Sequence, residues 1–417
     1  MAPVTLFGMG AIIGVGIYVI IGGAAGRAGN ALWLSFLLSA VAAAFTGLTY
    51  ARFAQLRPKN APEYQYVDMA FGPLPGFLAE YLMLSAMIIS AAAVALGFAA
   101  YLENLLGVPI LVGALLIVIA AGVISYVGIS ESAAVAGILT LIQVLGLIVI
   151  IGLGSTYLGH VDLMEMPAGL AGVLGGASLI FFAYLGFEGI ANYAEEMKNP
   201  VRDLPRAILL AIALSTILYV LTAVAAVSVV GSNALSESPA PLALVAEEAL
   251  GENAGIALSY IAIVATANTT IVFQLNSSRA LWQLGDMAIL PRFLGRVSKR
   301  RRTPSVAALA VTLIAGAFAL SGNVEQIAGY TNFAMLLSFI GVNAAALKVF
   351  RTKELPGGKG KALLLNTVVP VMGILTAAML AISAGVEAAV LGTVLFLSGA
   401  LIYWLMASYS RRKKSSG

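Results

Sequence analysis

The chain has 417 residues, of which 60% are hydrophobic and 10% charged. Its mean hydropathy is +0.98, whereas average soluble domains carry about 25% charge, so it reads as an integral membrane protein. Cysteine is absent, His160 is the lone histidine and the formal charge is only +4; these exclude disulfide frameworks, thiolate or histidine metal clusters and cysteine nucleophiles.

Taken in order, the apolar runs predict about twelve spans, each near the roughly 20 residues a bilayer requires. The first covers Gly8 to Ala25 and the second Leu32 to Ala54. A polar connection with Pro58 and Pro62 then runs to Asp68. Spans three to five cover Phe77 to Leu106, Pro109 to Val127 and Ala133 to Tyr157. The sixth runs from Gly169 to Ala191, followed by a charged linker from Glu195 to Arg206. The seventh covers Ala207 to Val230, and a polar loop reaches Asn253. Spans eight to ten cover Ala254 to Leu281, Ser305 to Leu320 and Gln326 to Phe350. Leu363 to Ser383 and Ala388 to Ser408 complete the set. The first run lacks the basic leading region and cleavage site of a signal peptide. The chain enters it almost at once, so a cytoplasmic tail is expected to precede it in the native protein.

Charge predicts orientation. With the N-terminus inside, every Lys and Arg except Arg27 lies on the cytoplasmic side, as the positive-inside rule requires. Both termini are therefore expected in the cytoplasm of a multi-pass cell-membrane protein. The basic runs Arg300–Arg302 and Arg411–Lys414 are read as orientation determinants touching anionic lipid, not as nucleic-acid sites.

Two spans are interrupted. The first reads G-M-G-A-I-I-G-V-G-I-Y-V from Gly8 to Val19. Glycine costs a helix interior about 1 kcal/mol relative to alanine, and broken backbone at membrane depth persists only where protein or a cavity covers it. The alternative is that these small residues let helices pack closely. The sixth span reads S-L-I-F-F-A-Y-L-G-F-E-G-I-A-N-Y, with Glu188 between Gly186 and Gly189. Paired interruptions in corresponding positions of two halves are the best sequence pointer to a transporter site. They divide the chain into a first repeat (1–158, spans one to five), an inverted second repeat (159–350, spans six to ten) and an addition (351–417, spans eleven and twelve with a basic tail).

The breaks dictate the chemistry. Unpaired N–H groups at a half-helix start suit a carboxylate, and unpaired carbonyls at a half-helix end suit an ammonium. Together they fit a zwitterion such as an amino acid. The carboxylate is expected at the N–H groups of Gly14, Val15 and Gly16. The ammonium is expected near the carbonyls of Ala11, Ile12, Phe182 and Ala183, with Ile13, Leu185 and Gly186 completing the pocket.

The text G-A-I-I-G-V-G-I-Y-V resembles the first-helix motif of the amino acid–polyamine–organocation permeases. Phe181 to Ile208, F-F-A-Y-L-G-F-E-G-I-A-N-Y-A-E-E-M-K-N-P-V-R-D-L-P-R-A-I, is similar to their sixth-helix signature and following loop. The third span, with Glu80-Tyr81 and Gly97 to Tyr101, is similar to the cationic amino acid transporter branch. The resemblance implies an all-α membrane fold of the five-plus-five inverted-repeat (leucine-transporter) type, with alternating access and Phe182 closing over the substrate. It implies transport of L-amino acids by symport or exchange. Many members carry Ser or Thr where this chain has Val15, which removes a hydroxyl from the carboxylate site.

Coupling has several candidates. Gln143 stands where proton-coupled relatives carry a lysine, and it cannot titrate. Thr266, Thr269 and Thr270 share one face of the eighth span; with carbonyls of Gly10 and Ile13 they resemble the sodium site of sodium-coupled members. The same hydroxyls commonly bond their own i−4 carbonyls. Glu80 and Glu188 are carboxylates at membrane depth, functional candidates by default. Glu80 is a candidate proton carrier, or a partner of Tyr81 or backbone. Glu188 is expected to cap freed N–H groups. Tyr330 and Asn332 are expected either to line an outer vestibule or simply to pack. The ion is thus Na+ or H+, with no other cofactor. The leading function is transport of neutral or small amino acids by a monomer or weak dimer. A polyamine or organic cation permease and a non-transporting amino acid sensor stay open. An enzyme finds no catalytic constellation, and a channel fits broken helices poorly.

Overall fold

The computed structural model describes residues 2–14, 16–56, 61–128, 133–190, 197, 199–298, 300–352 and 363–415. Apolar sequence in lipid must satisfy its backbone internally, which leaves helices as the economical solution. The described residues form fifteen α-helices. The first span is split into α1 (Ala2–Ile13) and α2 (Ile17–Ala28). There follow α3 (Leu32–Ala54), α4 (Pro62–Phe71), α5 (Pro73–Leu106), α6 (Ile110–Val127) and α7 (Ala133–Gly154). The second half holds α8 (Gly169–Ile180), α9 (Pro200–Glu237, kinked at Gly231), α10 (Pro241–Leu250), α11 (Glu252–Asp286), α12 (Ser305–Ala319) and α13 (Val324–Thr352). Last come α14 (Val369–Ser383) and α15 (Val386–Ser415). Among the described residues ten helical stretches are long and apolar enough to cross a bilayer, counting α2 with α3 (Ile17–Ala54) and α8 with the turn after it (Gly169–Ile190) as one each, and α12 is a shorter apolar helix.

Three expected connections are helical instead. The polar stretch before Asp68 contains α4, whose Pro62 stands at the first helical position, where a missing N–H costs nothing. The charged linker after the sixth span is already helix from Pro200. The polar loop before Asn253 contains α10, again opened by a proline. Composition marked these segments as outside the apolar runs, but it did not mark them as unfolded.

Burial orders the bundle. In α5, 83% of the most apolar window is buried, against 11% in α15. The former is a central post packed on α4, α6, α11 and α13, and the latter faces outward along most of its length. The contacts pair helices across the halves: α2 with α8, α3 with α9, and α5 with α11. These pairings bring the two interrupted spans side by side at the middle of the protein.

Candidate functional site

The first interruption is three residues wide. Gly14 N–H still reaches Gly10 O at 3.2 Å, and regular bonding resumes with Val19 and Ile20 donating to Gly16 O at 3.0 and 2.8 Å. Helix geometry leaves the last carbonyls of α1 and the first N–H groups of α2 without intrahelical partners. Val15, the centre of the expected carboxylate site, lies outside the described residues, as does the side chain of Ala11. Ile12, Ile13, Gly14, Gly16 and Ile17 are all buried.

The sixth span breaks differently. After α8, residues Phe181–Tyr184 tighten into a 3₁₀ turn, and Gly186 sits at φ +110°, a conformation natural to glycine. Leu185 N–H bonds Phe182 O at 3.2 Å. Both carboxylate oxygens of Glu188 fold back on Gly186 N–H, at 2.9 and 3.2 Å. Glu188 therefore satisfies the N–H of Gly186 within the break. The breaks meet at Gly16, where an added Cβ would overlap Ala183.

Side chains of neighbouring helices donate to backbone carbonyls at and around the breaks. Tyr219 of α9 holds its hydroxyl between the two breaks, 2.8 Å from Ile12 O and 3.0 Å from Ala183 O. It thus joins two of the carbonyls at which the ammonium is expected. Ser35 and Ser39 donate to Val173 O and Ala177 O. Asn332 donates through Nδ2 to Ser178 O and Leu179 O at 2.6 and 3.0 Å. Fully buried, Asn332 packs against the half-helix end and does not line a vestibule. Tyr184 donates to Phe36 O at 3.1 Å.

The α2 side is held by tyrosines. Tyr101 donates to Tyr18 O at 2.8 Å, and Tyr18 donates to Gln143 O at 2.7 Å. The side chain of Gln143 is buried near Gly14. Its Oε1 has no hydrogen-bond partner among the described residues. Thr269 donates to Gly14 O at 2.8 Å, sharing its proton with Ala265 O. Thr266 and Thr270 bond back to Ala262 O and Thr266 O at 2.7 and 2.9 Å. Of the three threonines, Thr269 is the one whose hydroxyl bonds the first span.

Glu80 belongs to a separate group where α3, α4 and α5 meet. It accepts from Tyr64 N–H at 3.2 Å and hydrogen-bonds the carboxyl of Glu63. Glu63 in turn accepts from Tyr50 at 2.7 Å. Burial pushes the Glu63 carboxyl above its ordinary range, while its bonds to Tyr50 and Glu80 pull the other way.

Sequence reading missed Tyr219 and Glu63. A signal existed for each: a buried tyrosine hydroxyl needs an acceptor, and a carboxylate just after Pro62 stands in a helix first turn. Neither signal indicates which distant backbone the group meets.

The side chains flanking both breaks, Ile12, Ile13, Ile17, Phe182 and Leu185, are apolar and buried. The site thus offers backbone polarity of both signs within an apolar lining. A family model described as amino acid permease matches residues 3–414. The branched-chain amino acid permease BcaP of Bacillus subtilis (strain 168) is 29% identical over 98% of this chain and 92% of its own length. Cationic amino acid transporter 4, vacuolar, of Arabidopsis thaliana is 30% identical over 82% of this chain and 61% of its own. The methylthioribose transporter of Bacillus subtilis (strain 168) is 29% identical over 84% of this chain and 80% of its own. With nearly every residue inside the match and the two broken spans meeting at its centre, the chain belongs to the amino acid permease family.

Proposed function

We propose that this permease is a secondary transporter of neutral L-amino acids, operating by alternating access in the cell membrane with both termini cytoplasmic. The observation that carries this reading is the convergence of the two breaks on Tyr219, which bonds the carbonyls of Ile12 and Ala183 among buried apolar side chains beside the N-terminus of α2. The apolar lining, together with the branched-chain permease named among the relatives, supports a neutral side chain. The cross-half pairings of α2 with α8, α3 with α9 and α5 with α11 support an inverted repeat of 1–158 and 159–350. In this reading substrate binding draws the half-helices together, and release reverses the tilt.

The coupling ion in this proposal is H+, carried by Glu80 with Glu63. Both carboxyls are buried and mutually bonded, so moving the proton changes what holds α4 against α5. Thr269 beside Gly14 O favours one second reading, Na+ held by Gly10, Ile13, Thr266, Thr269 and Thr270.

Uptake of labelled amino acids into proteoliposomes, with proton and sodium gradients imposed separately, tests the proposal. Accumulation driven by pH alone is the expected result. Accumulation driven by sodium alone moves the ion to the threonine face. Counterflow without either gradient makes the protein an exchanger. Saturable binding without flux under every condition overturns transport in favour of a sensor.

A further inference from the structure

The start of α2 is a helix N-terminus with unpaired donors, and Val15 brings it no side-chain hydroxyl. The structure holds a hydroxyl of the right kind on another helix. Ala211, Ser215, Tyr219 and Thr222 fall on one stripe of α9 by helical spacing. Ala211 lies beside Gly8 of α1, and Tyr219 reaches both breaks. Further along, Ser232 N–H bonds Asn30 Oδ1 at 3.0 Å, just past the far end of α2. Up to Gly231, where its backbone leaves helical geometry at φ +77°, α9 thus leads from the breaks toward the far end of α2; beyond that point Leu235 and Ser236 lie beside Gly22 and Gly26. Thr222 stands three residues beyond Tyr219, about 4.5 Å further along the axis in the direction of α2.

Thr222 is fully buried, and its Oγ1 has no hydrogen-bond partner among the described residues. Thr216, Thr266 and Thr270 all bond their own i−4 carbonyls, the usual resort of a threonine in an apolar helix. Thr222 does not. A buried hydroxyl left unpaired is costly, and a ligand supplying an acceptor removes that cost.

We propose that Thr222 donates its hydroxyl to the substrate's carboxylate, beside the N–H groups at the start of α2, as the side-chain contact that Val15 cannot make. Its role is specificity for the carboxylate end of the substrate, whatever the substrate's side chain. The inference rests on the amino acid reading above and deepens it.

The test compares wild type, Thr222→Val, Thr222→Ser and Ser215→Ala in binding L-leucine and L-leucinamide to purified protein. Ser215 is also unpartnered, but it flanks Tyr219 on the side away from Ser232. A hydrogen bond to a charged group corresponds to a change of about 10- to 100-fold. Thr222→Val is expected to weaken leucine by that factor while leaving leucinamide within about 3-fold, a spread typical of context effects on one bond. Thr222→Ser and Ser215→Ala are expected to keep the wild-type preference for the carboxylate. Thr222→Val is also expected to leave the melting temperature of the ligand-free protein unchanged or raised, because it removes an unpaired hydroxyl. Equal losses for both ligands, an unchanged preference, or a lowered ligand-free melting temperature would each overturn the assignment. Failure of wild type to bind any amino acid would instead defeat the amino acid reading itself.

Discussion

Replacing Tyr219 with phenylalanine removes one oxygen from the meeting point of the two breaks. The ring contacts with Phe36 and Tyr184, at centroid separations of 5.5 and 5.6 Å, remain available to a phenylalanine of nearly the same shape. What disappears is the donor shared by Ile12 O and Ala183 O, 2.8 and 3.0 Å away. One proton serves both carbonyls, so the loss counts as about one hydrogen bond plus the penalty for an acceptor left buried and unpaired, about 1–3 kcal/mol together. At 1.4 kcal/mol per factor of ten, the state in which the half-helices are joined becomes about 5- to 150-fold less populated. Exchange of labelled substrate across proteoliposomes is expected to slow by a factor in that range. Ligand-free melting temperature is expected to fall, because the bridge exists without substrate. Wild-type exchange and wild-type melting in Tyr219→Phe would refute the view that this hydroxyl couples the two spans.

Three further outcomes follow from the geometry. Gly16→Ala places a Cβ against the backbone of Ala183; overpacking of this kind costs about 1–3 kcal/mol, so substrate binding is expected to weaken at least about tenfold by direct titration. Thr269→Val removes the bond to Gly14 O; slower uptake with unchanged sodium response is expected, and a lost sodium response would place the ion there. Glu63 is raised above its ordinary value of 4.5, chiefly by burial. The folded protein therefore holds this proton more tightly than the unfolded chain, and stability present below about 4.5 is lost as pH rises through the folded value. Glu63→Gln is expected to flatten the decline of melting temperature with pH, and an unchanged slope would assign that decline to other groups.

Much of the architecture was legible because lipid leaves few options. Apolar runs of spanning length, basic residues gathered between them, and glycines inside the first and sixth runs depend on local composition alone. Gly14, Gly16 and Gly186 marked both breaks. The polar segments holding α4 and α10 were misread as connections, since charge and proline signal exposure and helix starts equally well.

Tertiary structure decided everything that joins residues far apart in the chain. Tyr219 meets Ile12 across 207 positions and Asn332 meets Ser178 across 154, and a single sequence holds no trace of which backbone carbonyl a distant donor will find. The same is true of Glu80, read as a proton carrier or a partner of Tyr81 or backbone, whose neighbour Glu63 is brought to it by α4. Local sequence determined where the helices stop, because breaking a helix is a property of a few consecutive residues. Only packing determined what fills the gaps, because the freed N–H and carbonyl groups are satisfied by whichever helices the bilayer and the core press against them.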